Sequence, residues 1–259
     1  MSVEARRPRI AEAPELEAAL GAIREVEGWL SEGQARRLWH AGREVRPDGQ
    51  IVEIGSFRGR STIVLSRAAA EGVPIVAIDP HAGSDRGPQE FDPEAERGQA
   101  DNEVFRANLE RAGVNGRVRH VRRFSDQAHA DVDGPIELLY VDGAHRYAPA
   151  RDDIAAWGAR VPLGGTMLVH DAYNAVGVML AQLRLLFFSA RWRYVGRTRS
   201  LAQYRREQLS PRGRAANALR QAVSLPWFVR NCLIKVAMVA RLRPVARLLG
   251  QPDEDAWPY

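Results

Sequence analysis

Residues 51–61, IVEIGSFRGRS, restrict the fold of this chain more than any other stretch. Ile51, Val52, Glu53 and Ile54 read as a buried strand running into Gly55 and Gly59, and a helix-like segment over 61–70 follows. Glycines at a strand-to-helix turn let backbone pass close to a ligand, although a tight turn alone would use them in the same way. A second apolar run, Val73 to Ile78, ends at Asp79. A carboxylate at the carboxyl end of that strand can accept both hydroxyls of a ribose, as adenosine-type cofactors require. The two segments describe the first crossover of a nucleotide-binding α/β sheet.

The rest of the chain continues that rhythm. Strands are expected at 51–54, 74–78, 117–121, 136–141 and 166–170, with helical segments between most of them, which is the pattern of a parallel sheet. Trp192 to Gly196 and Ser200 to Tyr204 read as an antiparallel hairpin at the sheet edge. The expected fold is a doubly wound, Rossmann-like α/β sheet of seven strands in a core over 48–206. Residues 1–47 form a helical lead-in, with helices near Glu15 to Trp29 and Ser31 to Gly42, covering one edge of the core; Ser31 is a plausible N-cap. Residues 82–102, rich in Gly, Pro, Asp and Glu, read as a long loop at the carboxyl edge, either serving a substrate or forming a surface insertion.

Residues 207–259 form a basic helical appendage: a Pro-Arg-Gly-Arg break, a helix over 215–223, then Pro226 and a helix over 227–249. Residues 190–259 hold 14 Arg or Lys against 4 Asp or Glu, a net of +10 against −5 upstream. Projected on one long helix, Arg230 and Arg241 fall together while Lys235 lands well away, so a clean membrane-surface helix is not indicated. Packing on the core or across a homodimer is the plainer expectation, with peripheral membrane contact as the rival. Charges interrupt every apolar run before about 18 residues, so no spanning segment is expected. One cysteine, Cys232, excludes an internal disulfide and a cysteine zinc cluster, and no leader-like stretch opens the chain, which leads to the expectation of a cytoplasmic setting.

Two segments carry candidate chemistry. LLYVDGAHRY (138–147) places Asp142 just beyond an apolar strand and His145 three residues on; TMLVHD (166–171) places His170 and Asp171 beyond the next. Two carboxylates aimed at one cleft repel, so either a cation lies between them or an arginine such as Arg146 does. Mg²⁺ would suit Asp142 and Asp171 with a chelating substrate, and His170 would suit Mn²⁺, Fe²⁺ or Zn²⁺ better. His145 titrates near neutrality and either accepts a proton from a hydroxyl or caps the following helix. Glu53 is an acid inside an apolar strand, and a cofactor ammonium group or a polar network would give a reason for burying it.

These segments resemble class I S-adenosylmethionine-dependent methyltransferases, within the branch that carries a strand-DGxHxY segment followed by a GG-strand-HD segment, here VDGAHRY and GGTMLVHD. The resemblance covers about 48–206 and implies S-adenosylmethionine as cofactor. It implies that Glu53, Gly55, Ser56, Gly59 and Ser61 lie along the methionine part, Asp79 on the ribose with Pro80 and His81 beside it, and Ser125 and Asp126 near the adenine. By similarity to macrolide sugar O-methyltransferases, His145 would be the base, Asp142 would bind Mg²⁺ (or Mn²⁺), and His170 and Asp171 would complete the metal site. The implied reaction is O-methylation of a sugar or other polyhydroxylated small molecule or glycan. The chain departs from the pattern at His170, where a second carboxylate is common, and at Phe124, where a polar residue is common.

A nicotinamide-dependent oxidoreductase would want G-x-G-x-x-G at the first turn, and the spacing Gly55 to Gly59 lacks it. No Asn-Pro-Pro-aromatic motif points to base flipping, and the Arg-rich composition reads as a genome preference because Lys235 is the one lysine, so no nucleic-acid partner is expected.

Overall fold

The computed structural model describes residues 14–83, 85–86, 89–90 and 93–251. Seven strands form one sheet: β1 Gln50–Ile54, β2 Ile75–Ile78, β3 Val118–Val121, β4 Ile136–Val141, β5 Thr166–Val169, β6 Trp192–Thr198 and β7 Leu201–Arg206. Their order is β3-β2-β1-β4-β5-β7-β6, parallel through β5 and antiparallel for the last two. The order reverses between β1 and β4, and in such sheets the crevice beyond the carboxyl ends at that point receives ligands. This is the Rossmann-like sheet with an antiparallel edge hairpin that the sequence predicts. A separate two-stranded hairpin pairs 85–86 with 89–90.

Side chains alternate between the sheet's two faces. Ile51, Ile75, Leu138 and Leu168 face one helical layer, built from α1 Pro14–Ala22, α2 Glu32–Arg43, α3 Arg60–Ala68 and α4 Ala95–Arg111. Val52, Val76, Leu139 and Met167 face the other, which holds α5 Tyr147–Asp152, its continuation to Arg160, and α6 Val176–Leu185. The central strands are thus buried on both faces, as continuous Val/Ile/Leu runs require. Each fully buried aliphatic contributes about 1.5–3 kcal/mol. Three further helices follow: α7 Pro211–Ala222, α8 Leu225–Val239 and α9 Arg243–Leu248.

Several expectations are corrected. The N-terminal helices cover a face of the sheet rather than an edge, and α1 ends at Ala22, leaving residues 23–30 as a turn. Arg60 fastens that turn by donating to the carbonyls of Ile23 (2.9 Å), Val26 and Leu30 (3.1 Å). The proposed loop over 82–102 becomes helix from Ala95 onward, and part of the remainder lies outside the described residues. The buried stripe of α4 is Gly98, Asp101, Asn102, Phe105, Asn108 and Leu109, a helical period written largely in polar residues. The Pro-Arg-Gly-Arg break is the start of α7: Ser210 caps it, accepting from the Gly213 N–H at 3.1 Å, and proline at the first turn sacrifices no hydrogen bond. The helix expected over 227–249 breaks after Val239, with Arg241 in the left-handed region (φ 57°). Taken together, Pro211–Val239 has the length and apolarity of a membrane span, contrary to expectation, yet a turn at 223–224 divides it.

Glu53 shows how the alternation decides a polar residue's fate. It shares the face of Ile51 and is fully buried against α3, where the Ser61 and Thr62 hydroxyls donate to its two oxygens, the latter at 2.5 Å. Burial pushes its pKa up to about 8, against the opposing effect of the two hydroxyls. A carboxyl raised in the folded state stabilises the fold fully below about 4.5 and loses that contribution as pH climbs through about 8. The melting temperature is therefore expected to fall by roughly 5–10 °C between pH 5 and 9 in a domain of this size. Glu53→Gln should flatten that slope, as read by calorimetry across the range; parallel slopes for the two proteins would show that Glu53 titrates as an ordinary carboxylate.

Candidate active site

A cavity of about 760 Å³ opens beyond the carboxyl ends of β1, β2, β4 and β5. Its floor is the turn after β1. Gly55 has φ 85°, and a Cβ there would lie 2.0 Å from the Asp142 carbonyl oxygen, so only glycine lets the β1 and β4 termini touch. Gly59, at φ 87°, starts α3 and packs on Phe105 without lining the cavity. Ser56 and Ser61 line it, and the Ser56 hydroxyl is buried without a hydrogen-bond partner among the described residues. Glu53 does not line the cavity; it stands one layer behind, where it accepts from Ser61.

Asp79 sits at the end of β2, where its two oxygens accept from the backbone N–H groups of Phe57 (2.8 Å) and His81 (2.7 Å). Both donors lie in the left-handed region, at φ 44° and 45°. Each oxygen keeps a lone pair for a ligand hydroxyl. Pro80 and His81 form wall, the His81 ring turned inward to the Phe57 carbonyl (2.7 Å) and against Phe105 and His120. At the far side Phe124, Ser125 and Asp126 line the cavity, and the Ser125 hydroxyl donates to Asp153 at 2.5 Å.

Four side chains converge between β4 and β5. His170 is buried, with Nδ1 at 3.0 Å from Asp142 Oδ1 and 3.1 Å from Asp171 Oδ2. His145 Nε2 meets the same Asp171 oxygen at 2.8 Å. Tyr140 donates to Asp142 Oδ2 at 2.6 Å, and Asn174 Nδ2 donates to Asp171 Oδ1 at 2.9 Å. Burial opposes a charge on Asp171, but His170 and His145 outweigh it and hold the carboxyl well below its usual range. Burial likewise lowers His145, and the hydrogen bond and charge of Asp171 raise its pKa overall above the ordinary imidazole value. The structure therefore gathers Asp142, His145, His170 and Asp171 into one cluster on the cavity wall.

Four contributors were not anticipated. Trp29 and Leu30 of the lead-in line the cavity beside Phe57. Asp153 opens a π-helical segment, Asp153–Trp157, and burial pushes its pKa up to about 6. Gln34 of α2 reaches across the sheet, placing Nε2 at 3.2 Å from His170 Nε2 and donating to the Ser200 hydroxyl at 3.0 Å. Ser31 and Gln34 have capping-box spacing, which marks the start of α2 but not the contact with His170.

Residues 52–172 match the methyltransferase-domain family. The O-methyltransferase from Bacillus cereus, solved with SAH, is 16% identical with a TM-score of 0.52, over 77% of this chain and 94% of that one. The O-methyltransferase NovP is 16% identical with a TM-score of 0.55, over 70% and 84%. The cofactor-bound protein Rv0187 from MTB is 19% identical with a TM-score of 0.54, over 78% and 93%. The glycine floor, the Asp79 carboxylate and a Ser56 hydroxyl without a partner among the described residues leave polar groups facing the cavity for a ligand. Residues 52–172 thus match a methyltransferase domain, and the sheet that carries the cavity has the fold of those solved methyltransferases.

Proposed function

We propose that this protein moves a methyl group from S-adenosylmethionine to a hydroxyl of a sugar or another polyhydroxylated small molecule, in a reducing cytoplasmic setting. The observation that carries the reading is the Asp171–His145 pair, 2.8 Å apart on the wall of the cavity. S-adenosylmethionine, when bound, supplies a methyl group already activated by its sulfonium. The chain's own residues must then hold the acceptor and take its proton. Asp171 accepts the Nε2 proton of His145, which leaves the other ring nitrogen as the site of proton uptake. As the C–O bond forms and the C–S bond breaks, the hydroxyl proton passes to His145, and Asp171 stabilises the imidazolium. Positioning supplies much of the remaining acceleration. The O-methyltransferases among the structural neighbours support the choice of oxygen as acceptor.

We further infer that no resident Mg²⁺ or Mn²⁺ takes part. Asp142, His170 and Asp171 bring three ligand atoms within 4.8 Å of one another, which meets the count for a divalent ion. The hydrogen bonds around His170 argue against it. Gln34 Oε1 accepts from the Ser31 backbone N–H at 2.8 Å and its hydroxyl at 2.7 Å, so the amide's N–H₂ faces His170 Nε2. Burial disfavours a charged His170 and the two carboxylates favour it, carrying its pKa well above the usual value. The Gln34 donor opposes a proton on Nε2, so the proton held most firmly is the one on Nδ1, between the carboxylates. A metal taking the Nδ1 lone pair would displace that proton and require Nε2 to carry one, opposite the Gln34 donor.

Three outcomes follow. His145→Ala should lower kcat by roughly 10²–10⁴-fold while leaving cofactor affinity, read by calorimetry, nearly unchanged. Because the base must be neutral and its pKa is raised, kcat/KM should fall on acidification with a midpoint above 6.5, and Asp171→Asn, which tolerates the left-handed φ of 52°, should move that midpoint down. A His145→Ala variant with full turnover would remove the base assignment. Chelator treatment should change activity by less than about twofold, whereas Gln34→Glu, which offers an acceptor to Nε2–H and frees Nδ1, should create Mn²⁺ binding. Wild-type activity lost to chelator and restored by Mn²⁺ would overturn the metal-free reading.

A further inference from the structure

Helices α8 and α9 bury one side and leave the other in solvent. Asn231, Ile234 and Ala237 of α8 are buried toward the core, with Lys235 Nζ donating inward to the Asn174 carbonyl at 2.8 Å. On the opposite side Val229, Leu233, Val236 and Val239 are between 51% and 76% exposed, at spacings of four, three and three residues. The face continues past the break at Arg241 to Leu242 and Leu248. That break explains why a single helical projection of 227–249 concealed the segregation.

The charge of this region selects its partner. Residues 208–251 contain eight basic residues and no Asp or Glu, and Asp253, Glu254 and Asp255 follow outside the described residues. Arg212, Arg214 and Arg220 are exposed on α7, and Arg241, Arg243 and Arg247 are exposed at the break and on α9. A second copy docking through the same face would set one cationic, apolar surface against another, because a two-fold interface repeats the patch on both sides. An anionic bilayer offers the complement to both properties: acyl chains for the aliphatic stripe and headgroup charge for the arginines.

We infer that the solvent face of α8 and α9 docks on an anionic phospholipid surface. The inference does not depend on the acceptor proposed above. Full-length protein should co-sediment with phosphatidylcholine vesicles containing about one third phosphatidylglycerol, stay in solution with pure phosphatidylcholine, and be released as salt is raised. Leu233→Asp with Val236→Asp should cut the bound fraction at least about tenfold, since a charge replaces each inserted side chain. Unchanged S-adenosylmethionine binding in that variant would show that its fold is intact. The proposal fails if the variant binds vesicles like wild type or if wild type does not distinguish the two vesicle types. It also fails if the same substitutions dissolve a concentration-dependent dimer seen without lipid, or if an RNA polyanion captures wild type and variant alike.

Discussion

Two neighbouring carboxyl groups, Asp142 and Asp171, set the terms for the rest of the site. They stand at the ends of adjacent parallel strands with oxygens within 4.8 Å of each other, close enough for like charges to repel. The fold meets this with donors: His170 Nδ1 lies between them, Tyr140 and Asn174 take the outer oxygens, and His145 joins Asp171 from the cavity side. His170 keeps this role because Gln34 holds its far nitrogen, and Gln34 holds its own orientation because Ser31 begins α2. The N-terminal helices are therefore connected to the chemistry by a chain of hydrogen bonds. A buried network of this kind rewards completeness, since an unpaired member costs more than a neutral replacement.

The backbone adds a second constraint. Phe57, His81, Asp171 and Tyr173 all adopt left-handed conformations, which cost about 1–3 kcal/mol each for such residues. At three of them local hydrogen bonds hold the shape: the Phe57 and His81 N–H groups converge on Asp79, and the Asp171 carbonyl accepts from Asn174 and Ala175. Strain held this way fixes the Asp79 carboxylate and the histidine-bearing wall relative to each other. Methyl transfer depends on alignment of donor, carbon and acceptor, so a rigid carboxyl edge contributes directly to rate.

Residues with chemistry at strand ends were legible because buried parallel strands announce themselves as apolar runs, and Asp79, Asp142 and Asp171 stop those runs. The seven-stranded sheet was legible for the same reason. What was hidden followed from polar residues playing structural parts. The buried stripe of α4 uses Gly98, Asp101 and Asn102, so an apolar count sees a loop there. Glu53 reads as a ligand for a positive group until strand alternation points it at α3. Gln34 and His170 lie 136 residues apart, and no local pattern could pair them.

The appendage differs from a detachable anchor because its inner face supports the same cluster. Lys235 donates to the Asn174 carbonyl, and the Asn174 side chain donates in turn to Asp171 Oδ1. Asn217 of α7 accepts from the Tyr194 N–H at 2.7 Å, binding the preceding helix to the sheet edge. Whatever fixes α8 at a surface therefore fixes the segment that carries Asp171. Deleting residues beyond 206 would remove that support along with the apolar face, and a loss of activity could then arise from either cause. Substitutions confined to the solvent side, at Leu233 and Val236, leave Asn231 and Lys235 in place and so separate docking from the integrity of the site.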